Sequence, residues 1–189
     1  SVELAKKYNL ELEVLSSLTC APGTIVKEVS NVERMLISGV AKDTDIARIS
    51  VVGVPDEPGL AFKMFSKLAA KDVNIDIILQ SIGRDGTKDI AFTCAKDKLN
   101  DAKEVINAFM PTLKAQKVVY DEDVAKVSIV GAGMESHSGF ASKMFEALYN
   151  ANINIQMIST SEIKISVLIN TADADRAVAA LHAKFFDEH

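Results

Sequence analysis

Asp56, Gly59 and Gln80 are residue types that could together hold a small charged molecule. Asp56 stands in the turn Asp56-Glu57-Pro58-Gly59, three residues ahead of a glycine that opens a helix-periodic segment. A helix N-terminus offers unpaired N–H groups and the positive end of the helix dipole, so it receives a carboxylate well. Gly59 has no Cβ and lets a ligand approach that backbone. The Asp56 carboxylate could hold an ammonium. Gln80 comes from the next strand, which we expect beside the first, and its amide can both donate and accept. Jointly these groups suit an α-amino acid zwitterion. Each also fits a plainer role: Asp56 as a turn stabiliser, Gly59 as a packing and turn residue, Gln80 as a solvated strand residue.

The elements that must position them occur twice. Gly59 maps to Gly139, Lys63-Met64-Phe65 to Lys143-Met144-Phe145, Leu68 to Leu148 and Asn74-Ile75 to Asn154-Ile155. The offset is 80 residues from Gly59 to Gly139 but 78 from Gly53 to Gly131, so the second turn is two residues longer. Such a repeat implies a shared fold. In the first copy, alternation and helical spacing predict a strand over 49–54, a helix after Gly59, a strand over 73–81 with Ile75, Ile77 and Leu79 on one face, a hairpin at Arg84-Asp85-Gly86, a strand over 90–94, a helix over 99–109 closed by Pro111, and a strand over 116–120. That βαββαβ order is the split-βαβ, ferredoxin-like motif, an α+β fold. The second copy predicts strands over 127–131, 154–160 and 163–169 and helices over 139–150 and 173–186, then lacks its fourth strand. The surplus strand over 35–40 could complete it, which would insert the first unit into the second and remove an open sheet edge; it could instead belong to a small N-terminal piece. Residues 2–8 read as a short helix and 11–15 as a short strand, too little to bury a core. The Met and Phe of the K-M-F triplets read as packing in both copies.

Composition narrows the function classes. The chain has 189 residues, 48% hydrophobic and 25% charged, enough for an ordinary core. A net charge of −5 argues against nucleic-acid binding. No apolar run is long enough for a membrane helix, and the N-terminus does not resemble a secretory leader. We expect a cytoplasmic chain with Cys20 and Cys94 as reduced thiols. It begins with Ser rather than Met, and is expected to be a piece of a longer protein. No nucleophilic triad and no phosphate-binding G-x-x-x-x-G-K-[ST] motif is present. His137 reads as a loop side chain.

Several stretches carry a resemblance to ACT domains, small ligand-sensing modules, in the arrangement of the aspartokinase regulatory region. They are VGVPDEPGLA (52–61), NIDIILQS (74–81), DGTKDIAFTC (85–94), KVSIVGAGMESHSG (126–139) and, most specific, NINIQMISTSEIKISVLI (152–169). VELAKKYNLELEVLSS (2–17), followed by Pro22-Gly23-Thr24, resembles the close of that family's kinase domain and its linker. Two departures stand out: Leu15 where the family often has a basic residue, and Ser138 where Pro often follows His137.

The resemblance implies a kinase remnant over 1–30, a first ACT domain over 46–122, and a second built from 32–45 plus 123–189. It implies a threonine site at Asp56, Gly59, Ala61, Asn74, Ile75 and Gln80, with Asn154 and Ile155 contributed by the second unit, where two regulatory units face each other. It implies a second effector site, for lysine or feedback relief, at Ala141, Ser161 and Glu162. In the repeat, Asp56 corresponds to Ser136 and Gln80 to Thr160, so the second copy is chemically weaker for a zwitterion. The implied role is feedback control of aspartate kinase, which phosphorylates aspartate with ATP and Mg. This segment is expected to need no cofactor, to be inactive alone, to form a homodimer and to partner a catalytic domain or subunit. A ligand-free dimerisation module is the alternative.

Overall fold

The computed structural model describes residues 5, 8, 10–15, 23–26, 37–81, 83, 85–131 and 139–187. They fall into two compact units, Ser1–Met35 and Leu36–His189. In the smaller unit, β1 (Leu12–Val14) pairs antiparallel with β2 (Thr24–Val26), Leu12 opposite Val26. Leu10, Val14, Leu15 and Ile25 are exposed on it. A two-stranded ribbon of this kind has no core of its own. The helix expected over 2–8 lies largely outside the described residues.

The larger unit contains two four-stranded sheets. In the first, alternation in β4 (Ile46–Pro55) sends Ala47, Ile49 and Val51 into one core. A bulge between Val51 and Val54 restores Val54 to that same face, and Gly53 there has φ +71, a conformation that suits glycine. Helix α1 (Leu60–Ala69) buries Leu60, Met64 and Leu68, one side chain per turn. Helix α2 (Leu99–Leu113) buries Leu99, Ala102, Ile106, Phe109 and Leu113 against it. Each buried Leu, Ile, Met or Phe side chain among them contributes about 1.5–3 kcal/mol. Strands β5 (Ile78–Gln80), β6 (Thr87–Ala95) and β7 (Lys117–Asp121) complete the sheet in the order β5-β6-β4-β7.

The second sheet repeats this with β8 (Val124–Val130), β9 (Met157–Ser161) and β10 (Lys164–Asn170), under α3 (Phe140–Asn150) and α4 (Ala174–His182). Its fourth strand comes from upstream. β3 (Gly39–Asp43) pairs antiparallel with β8, Gly39 opposite Val130 and Asp43 opposite Lys126, giving the order β3-β8-β10-β9. This is the surplus strand of the sequence, lying a few residues further on than the apolar run suggested; Ile37 is buried in the second core just ahead of it.

The helix-free faces of the two sheets meet at Ile46, Ile77, Val124, Met157 and Leu168. Lys126 of β8 adds a polar tie, pairing with Asp43 on β3 and with Asp76 just before β5. Burial alone would lower the Lys126 pKa, but its hydrogen bonds and charge pairing with Asp76 and Asp43 outweigh that and hold it above 10.5.

Three expectations need correction. Pro111 does not close its helix: α2 runs through it to Leu113, and Lys114 at φ +50 forms the cap. Pro111 is exposed, so its ring disturbs no packed neighbour. The strand expected over 73–81 is regular only at Ile78–Gln80. Before it, Asp76 N–H donates to Thr93 O and Ile77 N–H to the Thr93 hydroxyl, an irregular pairing that breaks the alternation. Ile75 therefore packs on the first core while Ile77 joins the cluster between the sheets, and the two do not share a face.

Candidate functional site

The end of β4 is held by two adjacent residues of β6. Asp89 Oδ1 accepts from Gly53 N–H at 2.8 Å and so fixes the bulge. Lys88, opposite Val54, reaches Asp56, with Nζ 3.0 Å from Oδ1. The Lys88 side chain is only 11% exposed, whereas that of Asp56 is 64% exposed. Asp56 N–H also donates to Gly86 O at 2.9 Å, closing the turn on the β5–β6 hairpin.

Gly59 caps α1 at φ +88, and no side chain caps that helix end. A Cβ built on Gly59 would meet nothing within 4 Å, so the backbone there is open to approach. Ala61 follows in the first turn, half-buried against the first core. An uncapped helix end beside a carboxylate can receive both poles of a zwitterion.

Gln80 does not lie on the strand beside β4, contrary to the sequence expectation. β5 and β4 run parallel, and β6 returns between them, Gln80 opposite Ile90 and Ile90 opposite Val51. Gln80 is exposed and shares the core-facing side of the sheet with Ile90. The residue of the intervening strand that reaches Asp56 is Lys88, which the sequence reading missed. A signal existed: Ile90, Phe92 and Cys94 alternate into the core, and two positions back on that face stands a lysine.

Asn74 and Ile75 lie at the other end of the sheet. Asp76 is bonded to Thr93, and Thr93 stands opposite Arg48, seven residues before Pro55. At the usual strand rise this puts the Asn-Ile pair more than about 20 Å from Asp56. Asn154 and Ile155 take the matching place in the second repeat, where Gln156 N–H donates to Leu168 O at 2.8 Å. One chain thus gathers Asp56, Gly59, Ala61 and Lys88 at one sheet end, with Gln80 towards that end on the edge, and leaves Asn74 and Ile75 at the other.

In the second repeat Gly139 caps α3 at φ +105, again without a side-chain cap, and Ala141 is half-buried in the first turn. Ser161 ends β9 and its hydroxyl donates to Lys164 O at 3.3 Å. Glu162 is exposed in the two-residue turn that follows. Thr160 stands opposite Ile165 as Gln80 stands opposite Ile90. Ser136 and His137 lie outside the described residues.

Among the described residues no group of His, Cys, Asp and Glu is placed to hold a metal ion, and no described helix is long and apolar enough to cross a membrane. Cys94 is a free, buried thiol whose pKa is raised by burial and by the charge of Asp97. Cys20 lies outside the described residues.

The ACT domain family model matches residues 49–109 and again 127–185. An aspartate kinase of Stutzerimonas stutzeri is 46% identical over 187 residues, covering 98% of this chain and 45% of that protein. The chain spans about half the length of the curated relatives it matches. A solved structure of the aspartate kinase regulatory subunit of Thermus thermophilus, in ligand-free form, is 38% identical with a TM-score of 0.76, covering 79% of this chain and 99% of that one. A structure of aspartokinase alpha and beta subunits is 41% identical with a TM-score of 0.74, covering 79% of this chain and 98% of that one. Two matched copies in a ferredoxin-like fold, with these relatives, place the chain in the ACT-domain family, as a tandem pair of the aspartokinase regulatory-region type.

Proposed function

We propose that this chain senses an α-amino acid, threonine first and lysine as a second or joint effector, and through it restrains an aspartokinase catalytic domain or subunit. The observation that carries this reading is the open, uncapped helix start at Gly59, with Asp56 three residues before it in the same turn. The ligand carboxylate would take the α1 N–H groups and its ammonium the Asp56 carboxylate. An effector shifts an equilibrium only by its differential affinity for two states, and a coupling of about 1–3 kcal/mol is usual.

A second copy of the chain would complete the site. The α1 and β5 side of the first repeat exposes Phe62, Ile78 and Leu79, and the second repeat exposes Tyr149 and Ile158 on α3 and β9. Edge strands with exposed apolar side chains favour pairing, and a two-fold dimer is the commonest outcome. Such pairing could bring an Asn-Ile pair of one copy to the Asp56 end of the other. The exposed ribbon of the N-terminal unit fits a remnant whose partner surface belongs to a kinase domain, where ATP and Mg would act. A ligand-free dimerisation module is the second reading, favoured by the same apolar edges.

Calorimetry decides between them. We expect heat with threonine in the wild type, and at least about tenfold weaker binding in Asp56→Ala. No heat with threonine or lysine up to millimolar concentration would overturn the sensor reading and leave the dimerisation module.

A further inference from the structure

We infer that the two repeats hold each other's Asn-Ile segments crosswise: Lys126 of the second repeat positions Asn74-Ile75 through Asp76, and Arg48 of the first positions Asn154-Ile155 through Gln156. Any part these segments take in effector binding rests on the sensor reading above; the crossed hold itself does not.

The first half of the pair is visible. Lys126 lies on β8, on the helix-free side with Val124, and its ammonium meets the Asp76 carboxylate of the other repeat. Asp76 follows Asn74-Ile75 directly, and its backbone N–H is fixed on Thr93 O at 3.2 Å. Lys126 also reaches Asp43, its cross-strand neighbour, at 3.3 Å. The ion pair is thus anchored at both ends.

Every component of that hold has a counterpart in the other repeat. Arg48 matches Lys126. It stands two residues after Ile46, as Lys126 stands two after Val124, and Ile46 and Val124 meet between the sheets. It pairs with its own cross-strand neighbour Asp121 at 2.6 Å, as Lys126 pairs with Asp43. Gln156 matches Asp76: it follows Asn154-Ile155, and its N–H is fixed on Leu168 O at 2.8 Å. Arg48 stands opposite Thr93 and Lys126 opposite Leu168, so the register agrees as well. The next residues, Ile77 and Met157, both enter the cluster between the sheets. Matched residues on both sides give the interface two-fold character, and a two-fold contact from one side to the other has a reciprocal.

The remaining polar atoms agree. Only three buried side-chain polar atoms lack a hydrogen-bond partner among the described residues, and Arg48 Nε and Gln156 Oε1 are two of them. One is a donor and the other an acceptor. Nη2 of Arg48 is on Asp121 and Nε2 of Gln156 is on Asn170, which makes the two remaining atoms a complementary pair. Buried polar groups are paired in nearly all native structures, and the reciprocal position supplies the partner here. The Lys126 hold joins two charges; the Arg48 hold joins a charge and a neutral amide.

Double-mutant cycles in urea unfolding of the whole chain test this. Arg48→Met with Gln156→Met should be coupled at least about fivefold in the unfolding constant, and Lys126→Met with Asp76→Asn likewise. The same-repeat combinations, Arg48→Met with Asp76→Asn and Lys126→Met with Gln156→Met, should add within about twofold. Gln156→Glu gives Arg48 a carboxylate; it should raise the folding constant at least about threefold, and the gain should vanish in the Arg48→Met background. Positioning is read by NMR. Arg48→Met should shift the backbone amide resonances of Asn154 and Ile155, and Arg48→Lys should return them towards wild type, because a lysine holds the matching place at 126. Should Arg48→Met fail to fold, the Gln156→Glu comparison decides alone, and no gain in stability sinks the hold. Additive Arg48 and Gln156 changes, or Asn154 and Ile155 resonances unmoved in Arg48→Met, would overturn it. None of these readouts uses a ligand, so that outcome leaves the sensor reading standing, and a chain that gives no heat with threonine leaves the crossed hold standing.

Discussion

In the first repeat Lys88 stands opposite Val54 and meets Asp56; in the second, the matching position carries Ile163, a residue 60% exposed. Buried positions tell the reverse story. Met64 and Met144 are both fully buried, as are Leu68 and Leu148, and both first helices start at an uncapped glycine with positive φ. Duplication kept what the two cores need and released what faces the sheet ends. Packing is constrained by every neighbour at once, whereas a polar group at a strand end is constrained only by what binds there. The difference teaches that the glycine is part of the scaffold, and that the site is made by what was added around it.

That comparison can be broken most forcefully in the cores. Met64→Ala and Met144→Ala should each cost about 2–5 kcal/mol in urea unfolding, because each leaves a cavity under a first helix. A large loss in only one repeat would show that the scaffolds are not equivalent.

The helix-start glycines give the next largest effect and sharpen the contrast. Gly59→Ala and Gly139→Ala each force a Cβ into the left-handed region, at about 1–2 kcal/mol, although neither site has an atom within 4 Å to clash with. Thermal melts should fall alike. Threonine binding should weaken only in Gly59→Ala, and equal weakening in both would mean that the second repeat binds as well.

A smaller effect probes the tie between repeats. Lys126→Met should cost about 1–2 kcal/mol at neutral pH, a modest figure because Asp43 and Asp76 are partly exposed. The Lys126 pKa is raised in the folded state, so its contribution is complete below the ordinary 10.5 and is lost as pH rises through the folded value. The stability gap between wild type and variant should therefore narrow only in strongly alkaline solution. A gap that narrowed on acidification alone would place the effect on the carboxylates instead.

Much of the fold was legible because its signals are local or repeated. Alternation in 49–54, the one-per-turn spacing of Leu60, Met64 and Leu68, and the surplus strand upstream of the first copy all pointed to paired ferredoxin-like units. What stayed hidden depended on neighbours. Hydrophobic period tells which face a residue takes, not which strand lies alongside, so β6 was not seen between Gln80 and Asp56, and Lys88 went unremarked. Ile75 and Ile77 were given one face because the Thr93 hydroxyl that breaks the alternation is distant in sequence. Pro111 signals a stop by its missing N–H, yet α2 continues two residues past it to Leu113. Of the candidate site, Asp56 and Gly59 are legible as one local turn and Ala61 comes only with the resemblance, while the separation of Asn74 and Ile75 from Asp56 follows only from the strand register.

The central claim is that one repeat, not two, carries the main effector site. Equilibrium dialysis of labelled threonine against the whole chain counts bound ligand directly. The account predicts about one threonine per chain at saturation, with an affinity lowered at least about tenfold by Asp56→Ala and untouched by Ser161→Ala. Two per chain, or one that survives Asp56→Ala and disappears in Ser161→Ala, would contradict it.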